Sequence, residues 1–324
     1  ALPLGLPGKS FQGDNFYTGE NLGPAALFTF YLKEDVKSLQ EQRREREKKM
    51  MEEGKDPVYP TYKELKAERE EEAPSLLLTV KDGEGRVVRK LTAPAKKGLH
   101  RVPWDLRYAT TRPVRLREPD FYNPWGAQYI GTLAEPGDYT VTLSRVQGGE
   151  VTELAGPMLF RVKALQNTTL PARDRAAKVA FQREVSELSR QVQAAQRTLS
   201  ELSTELRYMR KAIELVEAPL PELLTQVNMV QEKVRSVEQR LNGDDKAGTL
   251  DMHVVPSVSS RIGHLMWAQF HSTSDPTQTH RDLVQIVKEE LGPLQQQVQE
   301  IDEKDMEALR RKMEALKAPY TPGR

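Results

Sequence analysis

From Phe181 to Val216 the chain carries an unbroken apolar ladder. It reads Phe181, Val185, Leu188, Val192, Ala195, Leu199, Leu202, Leu206, Met209, Ile213, Val216. The steps alternate four and three, which keeps every member on one stripe of a helix. A helix with an apolar seam at that period must bury it against other helices. The ladder therefore casts the back half of the chain as scaffold. A bundle with a dry seam holds things together or apart, and performs chemistry only where polar groups point inward.

The remaining helical segments repeat the pattern. Pro171 suits the first turn of the ladder helix, and Pro219 and Pro221 separate it from the next. That second helix carries Leu223, Val227, Val230, Val234, Val237 and Leu241 and stops at Asn242-Gly243. After a loop to Pro256, a shorter helix carries Val258, Ile262 and Leu265. Asp275-Pro276 opens a last long helix with Val284, Val287, Leu291, Leu294, Val298, Ile301, Leu309, Met313 and Leu316. Gly292-Pro293 is expected to kink it, because proline removes a backbone donor. The first helix should have about 45 residues, roughly 68 Å at the α-helical rise, and the last about 40. The two middle helices together nearly match them. The expected arrangement is an elongated antiparallel helix bundle over 170–318, with three legs and a return leg broken near 243–256. A homodimeric coiled coil built on the ladder helix alone is the competing arrangement. Self-packing is preferred because all the helices carry matching seams and the connections are short.

The front half changes period. Residues 1–23 are rich in glycine and proline and read as a lead-in. Phe28, Phe30 and Leu32 alternate as in a half-buried strand. Residues from about 34 to 72 interleave acidic and basic side chains and should lie on the outside, first as a helix and then as a second short helix or a disordered piece. From Leu76 the period is two, with a hairpin signal at Asp82-Gly83-Glu84-Gly85 and a second at Gln147-Gly148-Gly149-Glu150. Six or seven short strands with such turns fit an immunoglobulin-like antiparallel β-sandwich over 24–165, with the charged helices as an insertion. The fold class expected of the whole chain is α+β and multidomain.

Lysine and arginine number 48 against 47 acidic residues, a balance that argues against a nucleic-acid binder. With no cysteine, the chain has neither disulfides nor thiolate chemistry. No apolar run approaches the roughly 20 residues needed to span a bilayer. The chain starts Ala1-Leu2-Pro3, and is expected to be the tail of a longer or processed polypeptide.

Candidate chemistry is sparse. Among His100, His253, His264, His271 and His280, only His264 and His271 could share a helix face, and a zinc site would want closer pairing and a third ligand. Trp104 reads as sandwich core, and Asp105 has no identifiable catalytic partner. Glycoside hydrolysis needs two carboxylates held across a sugar, and no motif selects a pair. The Arg43–Lys49 run is neutralised by its own glutamates. Asn167-Thr168-Thr169 is a glycosylation sequon, meaningful only in a eukaryotic secretory setting. The loop Glu118–Gly126 places Phe121, Tyr122 and Trp125 on a long connection, where aromatics dock partners or stack on sugars as well as capping cores. These three are the candidate interaction residues. No catalytic, cofactor-binding or metal-binding residue is assigned.

Several stretches together carry a family likeness: SFQGDNFYTGENLGPAALFTFYLKED, GKDPVYPTYKELKAE, LTAPAKKGLHRVPWDLRY, PGDYTVTL, STSDPTQTHRDLVQIVKEELGPL and the closing APYTPGR. The chain resembles the C-terminal region of bacterial sortilin-like proteins with BNR (Asp-box) β-propellers, often labelled glycosyl hydrolases. The resemblance covers essentially the whole chain and implies that it follows a propeller in an exported, periplasmic or extracellular, protein. The Asp-box pattern itself occurs nowhere in it. The expected function is a non-catalytic C-terminal accessory or scaffold region that supports the propeller and mediates protein contacts. The alternatives are an ancillary part of a glycoside hydrolase and a carbohydrate-binding module.

Overall fold

Alternation in the front half folds as strands. A computed structural model describes residues 25–114, 131–165, 170–216 and 221–323. They fall into a β-rich unit, within 25–110 and 131–165, and a helical unit, 111–114 with 170–323. The β-rich unit holds β1 (Ala26–Leu32), α1 (Leu39–Glu52), α2 (Tyr62–Glu70), β2 (Ser75–Asp82), β3 (Val87–Pro94), β4 (Gly98–Trp104), β5 (Gly137–Gln147) and β6 (Glu150–Val162). β1 pairs antiparallel with β4, and the other four form an antiparallel sheet in the order β3-β2-β5-β6. The class is thus mixed: two antiparallel sheets and a long helical region, with no closed barrel among the described residues.

Period two decides which residues go inside. Leu76, Leu78 and Val80 point to the same face of β2 and are buried. The expected hairpin at Asp82 forms, with its carboxylate accepting from the amides of Glu84 (3.0 Å) and Arg86 (2.9 Å). Trp104, fully buried at the end of β4, sits edge-on to Tyr139 (5.3 Å) and Phe160 (6.0 Å) of the larger sheet. Phe28 of β1 meets the same Phe160 at 5.3 Å. These rings join the two sheets, and the Trp104 indole N–H donates to the Arg107 carbonyl at 2.9 Å, so its polar edge is satisfied.

Nearby, Gly131 lies against the backbone of Tyr108 and Ala109. A Cβ there would stand 2.5 Å from one carbonyl oxygen and 2.7 Å from the other. Gly131→Ala is therefore expected to destabilise this unit by about 1–3 kcal/mol, the usual range for overpacking. Urea unfolding followed by tryptophan fluorescence checks it.

α1 and α2 have no buried residue, as their composition predicts. They hold together locally. Each starts with a complete capping box, Ser38 with Glu41 and Thr61 with Glu64. Arg43 makes a two-pronged bond to Glu68 (2.6 and 3.0 Å) and reaches Glu47 at 2.7 Å, which fastens one helix to the other.

The helical unit contains α3 (Arg175–Ile213), α4 (Pro221–Asn242), α5 (Asp245–Thr249), α6 (Val258–His271), α7 (Gln278–Glu300), a π-helical segment Ile301–Met306, and α8 (Glu307–Ala315). The ladder from Phe181 to Ile213 is buried throughout, and Val216 packs against it. Cross-bonds set the helix directions. Lys178 reaches Ser272, Gln182 reaches Gln269, and Gln196 reaches both Asn242 and Ser259. The segment α4–α6 thus runs back along α3. Lys288 pairs with Glu184 and Arg310 with Glu205, so α7–α8 runs forward again.

Some expectations need correcting. The ladder helix starts at Arg175 behind the N-cap Asp174, so Pro171 lies before its first turn, and it spans 39 residues rather than about 45. α7 continues through Pro293, and a departure from α geometry comes at Ile301–Met306. A helical proline costs about 3 kcal/mol. Leu291 and Leu294 beside it are both buried, and burying each gains about 1.5–3 kcal/mol, enough to offset that. The seam is also not uniformly dry. Gln182, Ser189, Glu205, Gln269 and Thr321 are buried in the same unit.

Candidate functional site

Glu205 is a buried acid in the helical unit. It stands on α3 between the ladder residues Leu202 and Leu206 and is 5% exposed. Arg310 of α8 meets it with two parallel bonds of 2.8 and 2.7 Å. The same guanidinium reaches Asp302, in the π-helical segment, at 3.1 and 3.2 Å. The Glu205 hydrogen bond, then the charges of both carboxylates, raise the Arg310 pKa against the desolvation that opposes them. The C-terminal stretch closes over the pair: Thr321 is buried, and a Cβ on Gly323 would lie 2.7 Å from the Glu205 carboxylate. Glu205 and Asp302 converge on one cation. They do not face each other across a cleft, so they form a lock between helices and not an acid–base pair.

In the β-rich unit, an open cleft of about 840 Å3 lies where the chain leaves β1. Lys33, Asp35, Lys37, Lys97, Arg145 and Gln147 are on its wall. Many of its polar groups fasten the helical insertion. Gln42 and Gln147 both donate to the Lys37 carbonyl (2.9 and 3.0 Å), Asp35 accepts from the Lys97 amide (2.6 Å), and Val36 N–H donates to Ala95 at 2.9 Å. The charges are mixed, so the cleft favours no single class of ligand.

The candidate interaction residues Phe121, Tyr122 and Trp125 lie outside the described residues, as does the Asn167-Thr168-Thr169 sequon. Trp104 is core, and Asp105 accepts from the Arg107 amide at 3.2 Å. Burial pushes the Tyr139 phenol well above its ordinary value, and its hydroxyl donates to the Glu135 carbonyl at 2.6 Å. That group is a held donor, not a base.

His264 and His271 both fall in α6, but the ring that meets His264 is His280 of α7, at 6.2 Å between centroids. Among the described residues no three His, Cys, Asp or Glu side chains gather as a metal site would require. No described helix is long and apolar enough to cross a membrane.

Sequence reasoning passed over Glu205, Arg310 and His280. For the first two there was a faint signal, an acid wedged beside the seam at Glu205. For His280 there was a clearer one, the capping-box spacing Thr277-x-x-His280. No family model, curated protein or solved structure matches the chain.

Proposed function

We propose that this chain is a non-catalytic accessory region of an exported protein, a stiff spacer that supports an upstream sortilin-like β-propeller and offers it a docking surface. The observation that carries the reading is the buried ladder. From Phe181 to Ile213 its side chains are spent on the chain's own helices, which makes a stiff element. On this reading the two sheets form an immunoglobulin-like sandwich with α1 and α2 inserted, and the helical unit is an elongated three-legged bundle. The aromatic loop supplies the contact with the propeller, through Phe121, Tyr122 and Trp125.

The test is binding to the separately expressed propeller. The intact chain should bind, and alanine at Phe121, Tyr122 and Trp125 together should weaken binding by about tenfold or more, as loss of aromatic anchors does. Equal affinity of the two proteins would remove this role for the loop. A reading frame without Asp-boxes upstream would remove the propeller.

A further inference from the structure

The loop between α6 and α7 holds the start of the helical unit. Ala172 N–H donates to the Thr273 carbonyl at 3.0 Å, and Arg173 N–H to both oxygens of Asp275 at 3.1 Å. Lys178 reaches the Ser272 carbonyl at 2.9 Å. This loop ends at Thr277, the N-cap of α7, and the cap is unusual. Its hydroxyl accepts from the His280 amide (3.3 Å), and the His280 ring Nδ1 accepts in return from the Thr277 amide (3.4 Å).

In a capping box that second acceptor is normally a glutamate or glutamine, which accepts at any neutral pH. An imidazole Nδ1 accepts only while it carries no proton. Two further features oppose a proton on His280, and a third group touches the same nitrogen: the Gln269 side-chain amide lies 3.2 Å from Nδ1, on a residue that is 3% exposed. The His264 ring stands 6.2 Å away, and its charge disfavours one on His280. The first turn of a helix also disfavours cations.

We infer that the α6–α7 turn is a proton-operated latch. With His280 neutral, the capping box seats the Ser272–Thr277 loop, and the loop pins residues 172–173. With His280 protonated, Nδ1 becomes a donor and the Thr277 amide loses its acceptor. The loop then releases the beginning of α3.

The groups around the latch do not counter this. From α6 it faces His264 and the neutral Gln269. From α3 the charged neighbour of the loop is Lys178, bonded to Ser272. Asp275 is engaged with Arg173, Arg281 lies over the Phe181 ring, and Asp282 accepts from Gln278. Burial first, and the charge of His264 second, hold the His280 pKa below its ordinary value of 6.5. The unfolded chain therefore binds the proton more readily than the folded one. The stabilisation is complete above pH 6.5 and is lost as pH falls through the lower folded value. The inference rests on the latch geometry alone and stands whatever the chain supports.

Hydrogen exchange on the full chain tests it, with peptides covering 170–178 and 272–282 compared at about pH 7.5 and about pH 5 after correction for intrinsic rates. The native protein should lose about tenfold in protection on acidification, the scale of a lost cap. His280→Gln keeps a cap acceptor that cannot titrate, and should reduce that loss to about twofold or less. His264→Asn removes the neighbouring charge and should give an intermediate loss, and it carries the test if His280→Gln does not fold. Equal acid-induced losses in native protein and variants, or no loss in the native protein, would overturn the latch.

Discussion

Leu199→Ala lowers the unfolding free energy of the helical unit by about 3–4 kcal/mol, within the range for large-to-small changes in a packed core. Leu199 is 1% exposed at the middle of the ladder. One turn before it, Gln196 bonds to Asn242 at the end of α4 and Ser259 at the start of α6. The side chain is part of the one continuous core cluster of the helical unit, level with the break between α4 and α6. Rigid helices collapse poorly into a cavity, which keeps the expected loss off the low end of the range. Urea unfolding followed by far-ultraviolet circular dichroism measures it. A loss under about 1 kcal/mol, the size expected of a surface position, would mean that the seam is not packed there.

Arg310→Ala is expected to destabilise the same unit by about 2–4 kcal/mol, because it strands the Glu205 carboxylate among apolar neighbours. The figure is set somewhat below that of a fully enclosed pair. The Arg310 side chain is 23% exposed, against 6% for Glu205, so water can enter from its side once the guanidinium is gone. Replacing both partners, Glu205→Leu with Arg310→Met, should bring stability back to within about 1 kcal/mol of the native protein, since apolar substitutes avoid the desolvation cost. A double-mutant cycle by urea unfolding separates the two effects. If Arg310→Ala and the double variant are equally unstable, the pair does not act as a unit and the lock is misassigned.

The ladder was legible because it is a one-dimensional signal: period, not partner, decides which side chains face inward. Phe181 through Ile213, Leu223 through Leu241, and Val284 through Ile301 are buried where the spacing places them. The strands were legible for the same reason, with Leu76, Leu78 and Val80 alternating into the core. What sequence could not yield were contacts between distant polar residues. Glu205 and Arg310 are far apart in the chain, and beyond the position of Glu205 beside the seam nothing local marks the pair, so packing selects them. Pro293 is accommodated inside α7 because the buried leucines beside it outweigh its local penalty. His280 was hidden by habit, since a capping box is sought with glutamate or glutamine in that place.

The central claim is that the ladder is buried within one chain. The most direct test is the urea midpoint for loss of helix, measured at protein concentrations from about 1 to about 100 μM, because folding coupled to association shifts with concentration by mass action. Intramolecular burial predicts one midpoint throughout that range. A midpoint that climbs steadily with concentration would show that a second copy completes the seam, and would contradict the account.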